Sequence, residues 1–438
     1  MVFFSARSRH FFLLVCGIAV SFVITFFPMF AVHAAAGFTT QARLGYPAGD
    51  DWEPALTADR YGHVYVLYKH YDVAGQTSCN SCDLHVLLQV SSDGGQTWSA
   101  PRSIDPEPVV GGQYDSQIAV DPVDGKTVWA SFLQNKKSSI AVMKSTDFGQ
   151  TWTGPTIVEN LQRATDKDIL AVRGATIAVA YNAVQKIYAS ISHDGGLTWA
   201  TQLINSGSTQ QGWSLAGGGA IDSQGNIFFS WAGYTQNGQA KGPVNIFVTK
   251  SSDGGQTWNL KQMAVSGAPY PCSNCGFAFL GAQATMTVGS DDTVYVLWNS
   301  TSDQTNYAPE RIFFAKSTNH GASYSARQDV SLATQGIEHS FPAITTGSGG
   351  DVRIAWMDMR TGRWNLFYRA SIDGGSTWSE ETQVSGYIPG YAYLTPTGFG
   401  LPYGDYFEMS VDNRGGTQIA WGEAGSYAGP GNIWTSHG

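Results

Sequence analysis

From Phe38 onward the chain alternates apolar and polar positions in short runs rich in β-branched and aromatic residues, broken by Gly, Asp, Asn and Ser turns. No stretch repeats its apolar residues at helical spacing, so the pattern predicts strands throughout and an all-β fold. One unit shows the phasing: an inner strand over His339–Thr346, a second over Asp351–Asp358, a third over Trp364–Ser371 and an outer one over Glu381–Ser385. Each second strand carries an aromatic after a small or apolar stretch, at Tyr68, Phe132, Tyr181, Trp231, Trp298, Trp356 and Trp421. A ring at one fixed point of every unit is expected in the core between sheets.

The turn after the third strand has its own signature. The frame S-x-D-x-G-x-T-W occupies Ser91–Trp98, Ser145–Trp152, Ser192–Trp199, Ser251–Trp258 and Ser371–Trp378, and is softened at Ser317–Tyr324. Asp93, Asp147, Asp194, Asp253 and Asp373, with Asn319 in the softened copy, are expected to accept bonds from backbone amides inside a tight hairpin whose Gly tolerates positive φ. Successive box serines lie 54, 47, 59, 66 and 54 residues apart, the length of a four-stranded propeller blade.

Six boxes but seven second-strand aromatics imply one unit without a box. A seventh unit reads as strands over Asp405–Val411, Thr417–Trp421 and Asn432–Ser436, while Thr39–Gly45 reads as an outer strand with no strands before it. If the N-terminal strand completes the last blade, the ring closes and no edge is left open. The expectation is therefore a seven-bladed β-propeller, with six blades as the alternative.

Three other features bear on function. Residues 1–36 read as a targeting segment, with Arg7 and Arg9 before an apolar run from Phe11 to Val32 and small residues at Ala34–Ala36; a cleaved signal peptide is expected and an uncleaved anchor is the alternative. Residues 37–438 then form a single domain, secreted or on the cell surface. In an oxidising compartment Cys79 with Cys82 and Cys272 with Cys275 are expected as two local disulfides, a shared four-sulfur zinc site being the alternative. Charged residues make up only 13% of the chain, and 25 basic against 34 acidic residues leave a net charge of −9 with no basic run, which argues against nucleic acid as a partner. No H-E-x-x-H, phosphate-loop or G-x-S-x-G motif occurs, no cofactor is expected, and the chain is expected to be monomeric.

The box at this spacing resembles the Asp-box, or BNR, repeat of the sialidase superfamily, over essentially the whole chain beyond the leader. The resemblance implies that the boxes are structural and face away from the ligand side. Sialidases of this kind use three arginines to clamp the substrate carboxylate, a Tyr nucleophile assisted by a Glu, and an Asp acid/base. Where their first arginine stands, in an Arg-Ile-Pro motif on the first inner strand, this chain reads Trp52-Glu53-Pro54. The clamp is incomplete.

Near the starts of the inner strands, and where the second strand ends at Asp358 and Arg360, on the side opposite the boxes, the sequence places carboxylates, aromatics and an arginine. Asp115, Glu338, Arg360 and Tyr406 are the catalytic candidates; Asp51, Trp52, Asp168, Trp213, His339, Asp358 and Asp405 are ligand-binding candidates. Against this stands the reading that such aspartates cap strand-start loops and that Arg360 pairs with Asp358. Two function classes follow: a glycoside hydrolase-like protein acting on extracellular glycans, or a non-catalytic propeller that binds glycan or protein.

Overall fold

The computed structural model describes Met1 and residues 37–438 apart from 73–84, 106–110, 161–164, 184, 211–213, 237–239, 271–279 and 427. The leader, Cys79, Cys82, Cys272, Cys275 and Trp213 therefore lie outside the described residues. Among those described, every regular element is a strand. Six antiparallel sheets each take four consecutive strands, and the seventh combines Leu401–Pro402, Glu408–Val411, Thr417–Ala424 and Asn432–His437 with the N-terminal strand Ala42–Leu44. The inner strands of the seven blades are Asp50–Ala58, Tyr114–Val120, Asp166–Arg173, Ser214–Ile221, Ala284–Val288, His339–Thr346 and Glu408–Val411. Each touches the next and the last touches the first, so the sheets close into a ring.

The expected closure is present. Ala42, Arg43 and Leu44 pair with Thr435, Trp434 and Ile433, and the Thr39 amide donates to the His437 carbonyl at 2.8 Å. Leu44 is buried beside Ile433 and Val66, so the seam between blades seven and one holds apolar contacts as well as backbone bonds.

Seven apolar clusters fill the seven seams, and each contains one of the second-strand aromatics. Phe132, for example, packs against Tyr65 and Leu88 of the preceding blade, and Trp356 against Tyr295 and Phe314. All seven rings have no exposed surface. Truncating one to alanine would cost roughly 3–5 kcal/mol.

The boxes work as read and also do something more. In the first, Ser91 Oγ accepts the Gly95 amide at 2.8 Å, Asp93 Oδ1 accepts the Thr97 amide at 2.9 Å, and Thr97 Oγ1 donates to Asp93 Oδ2 at 2.6 Å. The glycine before the Thr position has positive φ in every box and abuts the preceding blade. A Cβ on Gly255 would lie 2.1 Å from Ile191, and one on Gly375 2.4 Å from Phe314. Glycine is needed there both for its conformation and for its lack of bulk.

Candidate functional site

On the face opposite the boxes, blades one, two and three share a distortion. The inner-strand register shifts between Trp52 and Ala55, between Tyr114 and Gln117, and between Asp166 and Ile169. At each bulge one residue other than glycine takes the left-handed conformation: Glu53 at φ 54°, Asp115 at 49° and Lys167 at 50°. Each costs roughly 1–3 kcal/mol, a strain that recurs at ligand sites. Its effect is to bring the three side chains together at the axis.

Lys167 Nζ touches Asp405 of blade seven, and lies 3.4 Å from Glu53 Oε1 and 3.7 Å from Asp115 Oδ1. Lys69 Nζ stands 3.4 Å from Glu53 Oε2, while Lys137 Nζ reaches Asp166 at 2.7 Å and Asp115 at 3.3 Å. Gly404 makes the close approach of blade seven feasible, since a Cβ there would sit 2.6 Å from Glu53 Cγ. Three lysines and four carboxylates thus tie four blades together. Burial opposes the charge on Asp115, but Lys137, Lys167 and Lys69 outweigh it and hold this carboxyl well below its ordinary range. Burial likewise opposes the Lys167 charge, and Asp405, Glu53 and Asp115 overcome it.

Beside the cluster the acids behave differently. Burial pushes Asp168 well above the usual carboxylate range; its Oδ2 accepts from Ser131 Oγ, and its buried Oδ1 has no hydrogen-bond partner among the described residues. Burial lifts Glu408 to about 7 and, against the pull of Lys167, Asp405 to about 7. The Tyr406 hydroxyl donates to the Ser116 carbonyl at 3.1 Å, its ring lies under Lys167, and burial followed by nearby carboxylates keeps the phenol protonated. Lys167, Asp168, Asp405, Tyr406 and Glu408 line a cavity of about 50 Å³. That is far below the roughly 300–1,000 Å³ of small-molecule sites, and suits a water or two. Further along the axis the space widens to about 240 Å³ between Thr57, Thr285, Thr345 and Ser410.

A second polar set joins blades five and six. The Arg360 guanidinium is spent on Asp358, at 2.6 and 3.0 Å, and on Glu381. Asp358 also accepts from Trp356 Nε1 at 3.0 Å. His339 is fully buried, bonded to Ser331 Oγ at 2.7 Å and to the Glu310 carbonyl at 2.9 Å, and burial holds it neutral. Glu338 accepts the Glu310 amide at 3.1 Å and is pushed up to about 7 by burial.

Asp51 binds His70 at 2.9 Å and the Tyr46 amide at 2.9 Å, burial nevertheless raising it to about 6. Trp52 is buried, its ring 4.1 Å from that of Tyr403. It is core between blades one and seven, not an open platform.

Comparison with known proteins places this architecture. Residues 38–221 match the BNR repeat-like domain. The chain is a seven-bladed β-propeller that is similar, over those residues, to the BNR repeat-like domain. Among solved structures, the propeller is similar to a protein of unknown function from Dyadobacter fermentans, at 13% identity and TM-score 0.53, covering 92% of this chain and 98% of that one. It is also similar to an ulvan lyase, a polysaccharide lyase, at 10% identity and TM-score 0.52, covering 90% and 95%. Looser is the likeness to the NanB sialidase of Streptococcus pneumoniae, at 14% identity and TM-score 0.45, covering 91% and 70%. No curated protein matches the chain.

Of the residues singled out in sequence, the propeller brings Asp115, Asp168, Asp405 and Tyr406 together at the axis. Glu338, His339, Asp358 and Arg360 gather elsewhere, at the seam of blades five and six. Sequence reasoning missed Lys69, Lys137 and Lys167 because it sought the arginines of a carboxylate clamp. The run Asp166-Lys167-Asp168 was the available signal: a cation between two acids at a strand start.

Proposed function

We propose that this protein is an exported, monomeric propeller that recognises extracellular glycans on its channel-mouth face, and that it lacks a sialidase-type arginine clamp. The observation that carries the reading is the distribution of exposed tyrosines among the described residues: four of the five, Tyr46, Tyr270, Tyr307 and Tyr387, stand in loops of that face, with Tyr270 and Tyr307 paired at 5.9 Å, and only Tyr61 stands on the box face. Aromatic side chains with a polar tip suit partners that are part apolar, part hydroxylated, as sugar rings are. The axial cations are lysines already matched by carboxylates, and Arg360 and Arg311 are held by Asp358, Glu381 and Asp329. The ulvan lyase, solved bound to a glucuronic acid and sulfated rhamnose disaccharide, provides a fold-level precedent for glycan work on this architecture.

A hydrolytic reading has one observation in its favour. Asp405 and Glu408, both lifted to about 7, border the same cavity as Tyr406, and acids in that range can exchange protons near neutrality. The deciding experiment pairs a glycan array with chromogenic glycosides, sialosides included, for wild type, Asp405→Asn, Glu408→Gln and Tyr406→Phe. Glycan binding without turnover supports the proposal; turnover abolished by those substitutions overturns it in favour of an enzyme.

A further inference from the structure

A larger hollow lies on the same face at the outer side of blade seven. It encloses about 490 Å³, in the range of ligand sites. Tyr391 and Tyr393 of the connection from blade six form one wall, the Pro47–Gly49 turn into blade one another, and Gly429 and Pro430 close one end; Arg43 and Asn432 come from the two paired strands between them.

The aromatic wall is fixed in advance. The Tyr391 ring packs edge-on to Trp434 at 4.8 Å, and the Tyr393 hydroxyl accepts from Asn432 Nδ2 at 2.9 Å and Trp434 Nε1 at 3.2 Å. Leu394 and Phe399 of the same connection are buried in the core. Little ordering is left to be done on binding, which favours affinity.

Arg43 supplies the polar contact. It donates to the Tyr46 carbonyl at 2.7 Å, makes no ion pair within 4 Å among the described residues, and its buried Nε has no hydrogen-bond partner among them. The surrounding charge decides what it would recognise. Asp51 is close enough to be drawn down by the Arg43 charge, and the Asp50 carboxylate lies behind Gly429, where a Cβ would meet it at 2.5 Å. Burial raises Glu423, near Tyr393, to about 8, so that acid is neutral at pH 7. At pH 7 the guanidinium therefore has the ionised Asp51 close by, and it offers hydrogen-bond donors in the company of a carboxylate that would oppose an anionic ligand.

We infer that this groove binds a neutral pyranose saccharide, with a ring against Tyr391 and Tyr393 and its oxygens accepting from Arg43. The inference rests on the reading that this face recognises glycans, and names a site for it away from the axis. It is tested by calorimetric titration of the full propeller with xylohexaose, cellohexaose, mannohexaose and maltohexaose, and with hexagalacturonate as the acidic counterpart. Ala48→Trp fills the groove from an exposed turn, Arg43→Gln removes the charge, and Tyr307→Ala alters a tyrosine elsewhere on the face; thermal melts check that each variant folds.

At least one neutral hexamer should bind, Ala48→Trp should weaken it by about tenfold or more, and Arg43→Gln by about three- to tenfold. Raising NaCl from about 0.05 to 0.5 M should change the affinity by less than about twofold. Neutral-glycan binding untouched by Ala48→Trp but lost in Tyr307→Ala would overturn the groove and leave glycan recognition standing. Preference for hexagalacturonate with steep salt dependence would overturn the neutral assignment. Failure of every oligosaccharide to bind would overturn both this inference and the function proposed above.

Discussion

On the box face, aspartates stand in solvent and are held ionised by neighbours a few positions away in sequence. On the channel-mouth face, carboxylates are buried; those at the axis are matched by lysines, several of them from other blades, and others have no cation beside them among the described residues. Asp93, Asp147 and Asp253 are each drawn down to about 2, first by a threonine hydroxyl and then by the threonine amide. Glu408 and Glu423 are pushed up to about 7 and about 8 by burial. The box aspartates and these two buried glutamates therefore respond to pH with opposite sign. The box aspartates contribute stability that is present above about pH 4 and lost as pH falls toward 2, whereas Glu408 and Glu423 contribute stability that is present below about pH 4.5 and lost as pH rises through 7 to 8.

The sharpest way to break this contrast is to remove the cation at the axis. Lys167→Met leaves Asp405, Glu53 and Asp115 facing one another in a buried site, and is expected to cost about 3–5 kcal/mol in urea unfolding. Without the lysine Asp405 and Asp115 will hold their protons more tightly in the folded state, so the loss should deepen from pH 5 to pH 8. A cost independent of pH, or one under about 1 kcal/mol, would mean that the cluster is not an electrostatic tie between blades.

The box face should break sterically. Gly255→Ala forces a left-handed alanine and drives its Cβ to 2.1 Å from Ile191 of the preceding blade. With the backbone strain and a partial repacking of Ile191, the expected cost is about 1–3 kcal/mol, with little dependence on pH. Gly195→Ala, with φ 75° and no atom near its Cβ, isolates the conformational part of that cost. Equal losses in the two variants would show that the box glycine does not latch one blade to the next.

These regions also differ in how far the sequence disclosed them. A box is closed by bonds from residue i to i+2 and i+4, so a repeated octapeptide contains all its chemistry, and the seven aromatics reveal the seams by recurring at one register point. The pairing of Ala42–Leu44 with the last blade followed from counting units. The axial cluster offers no such signal. Lys167 and Asp405 lie 238 positions apart, and what unites them is a strand bulge at Glu53, Asp115 and Lys167 that follows no residue pattern. Arg360 illustrates the converse: its partner Asp358 is two residues away, and that pairing was already legible as the alternative to a ligand role.

A smaller effect tests the buried acids singly. Glu423 accepts from Trp421 Nε1 at 2.7 Å and Gln41 Nε2 at 3.0 Å, and its other oxygen has no hydrogen-bond partner among the described residues. Glu423→Gln keeps an acceptor and removes the ionisation. Because the folded-state pKa lies above the unfolded one, wild type loses stability between about pH 4.5 and 8 that the variant retains. The variant should melt about 2–4 °C higher at pH 9 and no higher near pH 4.5. An identical shift at both values would assign the effect to packing.

The smallest expected effect lies in the softened box, where the two modes of holding a polar turn can be exchanged by one atom. Asn319 Oδ1 accepts the Ser323 amide at 2.9 Å and the Ser317 hydroxyl at 2.8 Å, as an aspartate would, but its Nδ2 donates to Ser323 Oγ at 2.8 Å. In the strict boxes that bond runs the other way, from the threonine hydroxyl to the carboxylate. Asn319→Asp should reverse the Ser323 hydroxyl and complete a sixth titrating box. At pH 7 the change should stay within about 0.5 kcal/mol, since the site is exposed and every bond is kept. The new carboxylate should have a depressed pKa, so its contribution is present above about pH 4 and is lost as pH falls. The difference in urea midpoint between variant and wild type should therefore decline below about pH 4, and a flat difference would show that hydroxyl direction, not charge, is what the box requires.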